Sequence, residues 1–305
     1  MDLTHLKRAF RHLSPRRYLR ALNKARWDLE IIREQLNRSV ELARVRILTI
    51  PMGADDRYTH PLSLARHHGQ VYSQNGEDGM LAEIFRRIGL PEQPFFVEIG
   101  IENGQQNNTR LLVEQGWNGV WIDGSANAVA EARHTFAEFI QVGTLRIIHS
   151  LVNAENINAL LEEAGVPDNI TLLSLDIDQN TSYVWRAIRR RTQVACIEYN
   201  ASLPPSIDVE VPYDPFAVWD ETNWFGASLK ALERIGTDKG LSLVGCDFIG
   251  ANAFFVVDDQ ARGKFREPFT AETHYEFPKY PVFGHSGHPP SRQAKRWVSP
   301  RSRPG

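Results

Sequence analysis

Seven short apolar segments alternate with longer helix-like stretches between about Gln70 and Asp259, and this alternation limits the possible folds more than any other feature. The segments read PFFVEIG, GVWIDGS, LRIIHSLV, NITLLSLDID, QVACIEYN, LSLVGCD and ANAFFVVDD. Strands that are apolar throughout are typical of a parallel sheet covered by helices on both faces. The last two segments are joined only by the turn FIG, which predicts an antiparallel hairpin. We therefore predict an α/β fold: a doubly wound, mostly parallel seven-stranded sheet with a C-terminal antiparallel hairpin.

The sequences on either side differ from this central region, which we place at residues 70–260. Residues 1–50 hold 12 Lys or Arg and 5 Asp or Glu, and their apolar residues recur at spacings of 3 and 4, namely Leu22, Ala25, Leu29, Ile32 and Leu36. This pattern predicts a basic amphipathic helical extension. The helix either packs on the body, pairs with a second copy in a homo-oligomer, or lies on a membrane surface. Residues 51–69 have the composition of a linker, and residues 261–305 of a largely irregular extension.

Composition excludes several classes of protein. The 35 Lys and Arg residues nearly balance the 37 Asp and Glu residues, so we expect no specific nucleic-acid partner. The sequence has no apolar run long enough for a transmembrane segment, and charges interrupt the place where a signal peptide has its apolar core. Cys196 and Cys246 lie in apolar runs without metal-ligand spacing and are predicted to be reduced core residues. We therefore expect a cytoplasmic protein.

Two predicted strand ends carry acids in a pattern that points to a ligand. Glu98, Gly100 and Gly104 form an E-x-G-x-x-x-G motif, which differs from the G-x-G-x-x-G of dinucleotide-binding enzymes. A carboxylate here would repel a pyrophosphate and would suit a cation, unless it only caps the next helix. Asp123, at the end of the second strand, is placed to accept hydrogen bonds from a ribose diol. S-adenosylmethionine combines a sulfonium cation, an ammonium group and a ribose, and is the predicted cofactor.

The same residues belong to a wider resemblance. The motifs YSQNGEDGMLAEIF, FFVEIGIENGQQNNTRLLVEQGWNGVWIDGS, LLSLDIDQNTSYVWRAI, VACIEYNAS, VPYD, WFGASLKAL and LVGCDFIGANAFFV resemble the FkbM-like group of class I S-adenosylmethionine-dependent methyltransferases. The likeness covers residues 70–260 and is strongest to an uncharacterised methyltransferase-like branch. It implies O-methylation of a hydroxylated small molecule, a sugar or a glycan precursor. It also implies a first cofactor motif at Glu98, Gly100 and Gly104 and a ribose-binding acid at Asp123; to the cofactor site we add Asn107, Gly124, Ser125 and Asp176.

The fourth and fifth strand ends are predicted to carry the chemistry. If the chain stays extended, Asp176 and Asp178 share one face and converge on the cleft, and Glu198 follows the next strand. A carboxylate whose pKa is raised by its neighbours can remove a proton from an acceptor hydroxyl, and we assign Asp178 and Glu198 as the catalytic residues. Alternatively, Asp176, Asp178 and Glu198 hold Mg²⁺. Branch members usually read D-I-D-G-N-D where this chain has Gln179 and Thr181, which puts the acceptor in doubt.

Further polar and aromatic residues are candidates with weaker grounds. Four aromatic residues follow the fifth strand, either to stack on a sugar or simply to pack: Tyr213, Trp219, Trp224 and Phe225. The opening motif offers Gln74, Glu77 and Asp78 to the cofactor site, and His149 follows the third strand. Two other functions stay open because such sheets host many chemistries: a binding or scaffold protein that has lost catalysis, and a metal-dependent enzyme that uses Asp176, Asp178 and Glu198.

Overall fold

The computed structural model describes residues 22–33, 35–36, 39–40, 55–280, 287–293 and 295–299. The chain divides into two compact units, Met1–Pro51 and Met52–Gly305. In the first unit all the described residues are helical, which confirms the predicted N-terminal helix. Its apolar side chains are exposed, among them Leu22, Leu29, Ile32 and Leu36. Pairing of this helix with a second copy stays a prediction.

The second unit contains one seven-stranded sheet, as predicted. Its strands are β1 (Phe95–Ile99), β2 (Asn118–Asp123), β3 (Leu145–His149), β4 (Asn169–Leu175), β5 (Arg191–Glu198), β6 (Leu241–Cys246) and β7 (Asn252–Val257). They lie in the order β3-β2-β1-β4-β5-β7-β6. The first five strands are parallel, and β7 runs antiparallel to both β5 and β6. The doubly wound, mostly parallel fold with its C-terminal hairpin is therefore confirmed.

Helices cover both faces of this sheet. In chain order they are α1 (Asp56–Thr59), α2 (Glu77–Ile88), α3 (Arg110–Glu114), α4 (Ala126–Thr135), α5 (Ala137–Val142), α6 (Ile157–Glu163), α7 (Thr181–Ala187), α8 (Leu229–Asp238), α9 (Asp258–Ala261) and α10 (Ala271–His274). Successive side chains of β1 enter different layers: Val97 joins a core with α6, α7 and α8, and Phe96 joins a core with α2 and α4. This burial on two faces explains why the strands are apolar throughout. Cys196 and Cys246 are free and buried, as expected.

The segments that flank residues 70–260 also contribute to the body. The predicted linker forms α1 and the turn Ala65–His67, and it buries Tyr58 and Leu64. Beyond β7, α10 and the buried Phe265 belong to the body. A composition rich in Pro and Gly indicates that a segment lacks periodicity, but it does not reveal single apolar residues that are buried. Such residues attach both segments to the body. In the part of the chain that the structure describes, no helix is long and apolar enough to cross a membrane.

The strand order places the candidate site. β1 and β4 are neighbours although β2 and β3 lie between them in the sequence, so the winding reverses between these two strands. In doubly wound sheets a crevice opens at this point, at the carboxyl ends of the strands. Since β7 is antiparallel, its first residue, Asn252, reaches the same edge and pairs with Glu198.

Candidate functional site

A cavity of about 730 Å³ lies at the carboxyl edge of the sheet. Seven carboxylates line it: Glu77, Glu98, Glu102, Asp123, Asp176, Asp178 and Glu198. The described residues around the cavity include no Lys or Arg, and burial lowers the pKa of His288, the histidine that lines it. The cavity is therefore electronegative, which favours a cationic ligand and opposes a phosphate.

Glu98 is occupied by the chain's own donors. Its carboxylate accepts hydrogen bonds from two backbone N–H groups, those of Asn108 (2.8 Å) and Thr109 (3.0 Å). It also accepts from three side chains, those of Asn107 (2.7 Å), Thr109 (2.5 Å) and Ser174 (3.1 Å). Burial raises the pKa of Glu98, and these bonds oppose the rise. Glu98 thus shapes the turn before α3, in the manner of the capping acid that was the alternative to a ligand contact.

The two glycines of the motif serve the packing of the chain itself. Gly100 has φ +86°, and a Cβ there would lie 1.6 Å from the carbonyl oxygen of Asp176. Gly104 has φ +76°, and a Cβ there would lie 2.7 Å from the Trp121 ring. Gly100 therefore lets the loop after β1 touch the loop after β4, while Gly104 lies over an aromatic core. Their predicted close approach to a ligand stays a prediction.

Asp123 and its neighbours form the end of β2, beside the cavity. The Asp123 carboxylate accepts the backbone N–H of Glu102 (2.8 Å) and that of Ser125 (2.7 Å), and so joins the two loops. Each carboxylate oxygen can accept a second bond, so the side chain keeps capacity for a diol. Ser125 caps α4 by accepting the N–H of Ala128 at 3.3 Å. Gly124 and Ser125 line the cavity beside Asp123, and their role in a cofactor site stays a prediction.

Two buried asparagines that line the cavity each have an unpaired oxygen. Asn107 is 8% exposed; its amide donates to Glu98, and its Oδ1 has no partner. Asn252 is 3% exposed; its amide donates to Glu77 at 2.9 Å, and its Oδ1 is also unpaired. In each case the hydrogen bond from the amide nitrogen to an acid fixes the orientation of the amide. The amide oxygen is then the group without a hydrogen-bond partner. Buried acceptors without a partner are uncommon, and they indicate a ligand that donates hydrogen bonds.

Asp176, Asp178 and Glu198 converge as predicted, by a different route. Each offers an oxygen, and these oxygens lie within 4.8 Å of one another. The premise of an extended chain was wrong: β4 ends at Leu175, and Asp178 begins a turn with φ +55°. Glu198 holds this turn, because it accepts the N–H of Asp178 at 3.0 Å and the hydroxyl of Thr181 at 3.3 Å. Thr181, which replaces the last acid of the D-I-D-G-N-D motif, thus donates a hydrogen bond to Glu198.

The three acids keep protons close to neutral pH. Burial, with the charge of Asp178, raises the pKa of Asp176 to about 7. Burial, with the charge of Glu102, raises the pKa of Asp178 to about 6. Burial and the two aspartates raise the pKa of Glu198 well above its ordinary value. Carboxylates in this range suit the transfer of a proton at physiological pH.

The weaker candidates separate into two groups. Trp219, Gln74 and Glu77 line the cavity. The others contact the chain elsewhere. Asp78 accepts three backbone N–H groups of residues 71–73, and His149 contacts the Gly124 carbonyl. The aromatic candidates pack: Tyr213 on Tyr183, Trp224 on Trp297, and Phe225 in the interior. Gln179 is buried and donates to the Trp224 carbonyl at 3.0 Å, so it anchors the following segment.

Several lining residues were missed by sequence reasoning, among them Asn252, Tyr280 and His288. The predicted hairpin could have indicated Asn252, because the first residue of an antiparallel strand lies at the edge of the sheet where the neighbouring parallel strands end. Tyr280 and His288 come from the irregular C-terminal region, where no periodicity placed them.

No protein-family model and no curated protein matches the sequence. Solved structures match at low identity. The N-terminal domain of EvdMO1 with SAH (S-adenosylhomocysteine) bound is 11% identical, with 61% of this chain and 80% of that chain covered and a TM-score of 0.39. An S-adenosylmethionine-dependent methyltransferase from Clostridium acetobutylicum is 11% identical (61% and 91% covered, TM-score 0.38). M. capricolum TrmK with SAH is 10% identical (61% and 69% covered, TM-score 0.35). Similarity at this level does not carry an activity from one protein to another.

Proposed function

We propose that the protein is an S-adenosylmethionine-dependent methyltransferase of the FkbM-like group. The observation that carries the proposal is the cavity at the switch point, which has seven carboxylates and, among its described residues, no Lys or Arg. A pyrophosphate-bearing dinucleotide would meet only repulsion there. A ligand with a sulfonium, an ammonium and a ribose meets acceptors of the right kind, so the residues present fit this cofactor.

The side formed by the ends of β1 and β2, here the β1–β2 side, would hold the cofactor. Asp123 would accept the ribose hydroxyls, with Gly124 and Ser125 beside it. The unpaired Oδ1 of Asn107 would accept a hydrogen bond from the ammonium group. Glu98, Gly100 and Gly104 would act by positioning these residues. When bound, the cofactor supplies an electrophilic methyl group.

The ends of β4 and β5 with the start of β7, here the β4–β5–β7 side, would receive the acceptor. We assign Asp178 as the base that takes the acceptor's hydroxyl proton, with Glu198 as the group that fixes Asp178 and shares its proton load. Asp176 lies where the two sides meet, because its backbone contacts the loop of Gly100. A hydroxylated small molecule, a sugar or a glycan precursor would be the substrate.

A bound Mg²⁺ is the second candidate on this side. It is favoured by the three carboxylate oxygens within 4.8 Å of one another, since carboxylates are preferred ligands of that ion. Asp176, Asp178 and Glu198 would hold it, and it would supply a positive charge beside the acceptor hydroxyl.

Calorimetric titration of the purified protein with S-adenosylmethionine and SAH, with and without Mg²⁺ and with NAD as control, tests the proposal. Micromolar binding of either sulfur ligand, with no binding of NAD, is the expected result. Cofactor affinity without turnover on any acceptor would favour a scaffold protein instead. Affinity for Mg²⁺ alone would favour a metal-dependent enzyme.

Two proposals concern the protein's surroundings. We infer a cytoplasmic location, and we infer that the exposed apolar stripe of the N-terminal helix pairs with a second copy. Light scattering on the full-length chain, beside a Leu29→Asp variant, tests the pairing: a dimer that becomes a monomer supports it, and an unchanged mass contradicts it.

A further inference from the structure

The β4–β5–β7 side holds a cluster of three acids whose charge is offset by protons and not by any cation of the described chain. Asp176, Asp178 and Glu198 lie together, and the described lining residues offer no Lys or Arg to pair with them. By contrast, other acids of the body do pair: Glu83 forms ion pairs with Arg86 and Arg87. A buried carboxylate without a cation is costly, so this side is suited to a cation that arrives with a ligand.

Asn252 gives an independent indication of the same ligand. It stands opposite Glu198 in the pairing of β5 with β7, so the two side chains project from the same face of the sheet, about 5 Å apart at their Cβ atoms. Its amide nitrogen is committed to Glu77, and its buried Oδ1 has no partner. An amide oxygen beside carboxylates calls for a ligand with several N–H donors.

The remaining wall is aromatic. Trp219, Tyr280 and His288 line the cavity, with the His288 ring 5.1 Å from that of Trp219 and 4.9 Å from that of Tyr280. The polar atoms of two of these rings are committed, since Trp219 donates to Thr222 and Tyr280 donates to Gly250. Where these rings line the cavity they would offer apolar surface to an organic ligand, and aromatic faces attract alkylammonium groups. A strongly hydrated metal ion would gain little from this wall.

We propose that the acceptor is an amine-bearing polyol, such as an amino sugar or an aminocyclitol, whose ammonium group binds between Asn252 Oδ1 and the carboxylates of Glu198 and Asp176. This inference rests on the proposed function and adds the class of substrate. The ammonium donates to these oxygens, the ring packs on Trp219 and Tyr280, and a hydroxyl of the same ring faces Asp178. Acceptors that carry phosphate or carboxylate are excluded by the same charges.

Calorimetry of the full-length protein saturated with SAH, at pH 7 and in EDTA, tests this inference. The probes are D-glucosamine, D-glucose and D-glucose 6-phosphate, which share a ring and differ in charge. Glucosamine is expected to bind about tenfold or more tightly than glucose, since hydrogen bonds to charged groups are the stronger ones, and glucose 6-phosphate is expected not to bind.

Two variants locate the effect. Glu198→Gln should reduce the preference for glucosamine over glucose to about threefold or less and leave SAH affinity within about threefold. Glu131→Gln removes one charge from the outer surface of α4 and should change neither. If Glu198→Gln does not fold, the comparison of the three probes on the unaltered protein decides alone.

The possible failures are distinguishable. If SAH does not bind, the proposed function and the acceptor assignment fall together. If SAH binds and glucosamine and glucose bind equally, only the acceptor assignment is overturned. A preference that appears with Mg²⁺ and disappears in EDTA would overturn the ammonium site and indicate a metal.

Discussion

The two sides of the cavity use the same residue types in opposite ways. On the β1–β2 side, Glu98 accepts five hydrogen bonds from the chain and Asp123 accepts two. On the β4–β5–β7 side, oxygens of Asp176, Asp178 and Glu198 lie within 4.8 Å of one another, and their pKa values are raised first by burial and then by neighbouring carboxylates, which for Asp178 is Glu102. Acids that accept hydrogen bonds from the chain stabilise a loop. Acids that lie close together with raised pKa values can take up a proton or bind a cation. The comparison teaches that the charge of a cavity does not by itself identify its reactive groups.

The largest effect is expected from Asp178→Asn on the β4–β5–β7 side. Asn tolerates the left-handed φ of +55° and keeps the shape, so the change removes only the proposed base. Turnover should fall roughly 100- to 10,000-fold, the usual contribution of a general base, with SAH affinity within about threefold. Release of SAH in a steady-state assay on an active acceptor measures turnover. Lost SAH affinity with preserved turnover would reverse the roles of the two sides.

A matched pair of glycines tests the contact between the two sides. Gly100→Ala would drive a Cβ into the Asp176 backbone, and we expect a loss of about 3 kcal/mol or more in the free energy of unfolding. Gly124→Ala should cost less than about 1 kcal/mol, because its nearest neighbour, Leu151, lies 3.5 Å from the added Cβ. Urea unfolding of both variants gives the comparison. Equal stabilities would show that the two loops are not in contact.

Glu98→Gln tests whether Glu98 is a positioning residue. The new amide nitrogen would face donors in place of an acceptor, so the free energy of unfolding should fall by about 2 kcal/mol. The exposed Glu102, changed to Gln, should alter it by less than about 0.5 kcal/mol. Chemical denaturation measures both. Unchanged stability with a large loss of SAH affinity would make Glu98 a direct ligand contact.

The smallest effect concerns Asp123→Asn. The remaining oxygen keeps one of the two loop hydrogen bonds, the new amide nitrogen faces the other N–H, and a charged acceptor for the ribose becomes a neutral amide, so SAH affinity should fall about tenfold. Asp259→Asn, on the exposed surface at the other edge of the sheet, should leave affinity unchanged. Titration calorimetry distinguishes them. Equal affinities for both variants would remove Asp123 from the ribose site.

The sequence predicted the sheet well and the site unevenly, for physical reasons. Strands buried on both faces leave a strong apolar signal, and all seven were found. The convergence of Asp176, Asp178 and Glu198 followed from the rule that parallel strands end at one edge, although the left-handed φ of Asp178 has only a weak signal in its residue type. Glu98 accepts hydrogen bonds from Asn108 and Thr109 because of the path of the turn that follows β1, and the sequence does not specify that path. Tyr280 and His288 reach the cavity by contacts between distant parts of the chain, which no local pattern records.

The buried amides near Asp178 also bear on how such a protein can diversify. Gln179 and Asn180 donate to the backbone of Trp224 and Asp214, and Asn200 donates to that of Asn223 and Phe225. Residues 213–225 are thus fastened to the framework by main-chain oxygens, which every amino acid possesses. The exposed side chains of this segment, those of Phe216 and Val218, can vary while these main-chain hydrogen bonds stay the same. Substitutions at Trp219 and its neighbours could therefore change which acceptors the cavity admits, while the residues beneath this segment stay the same.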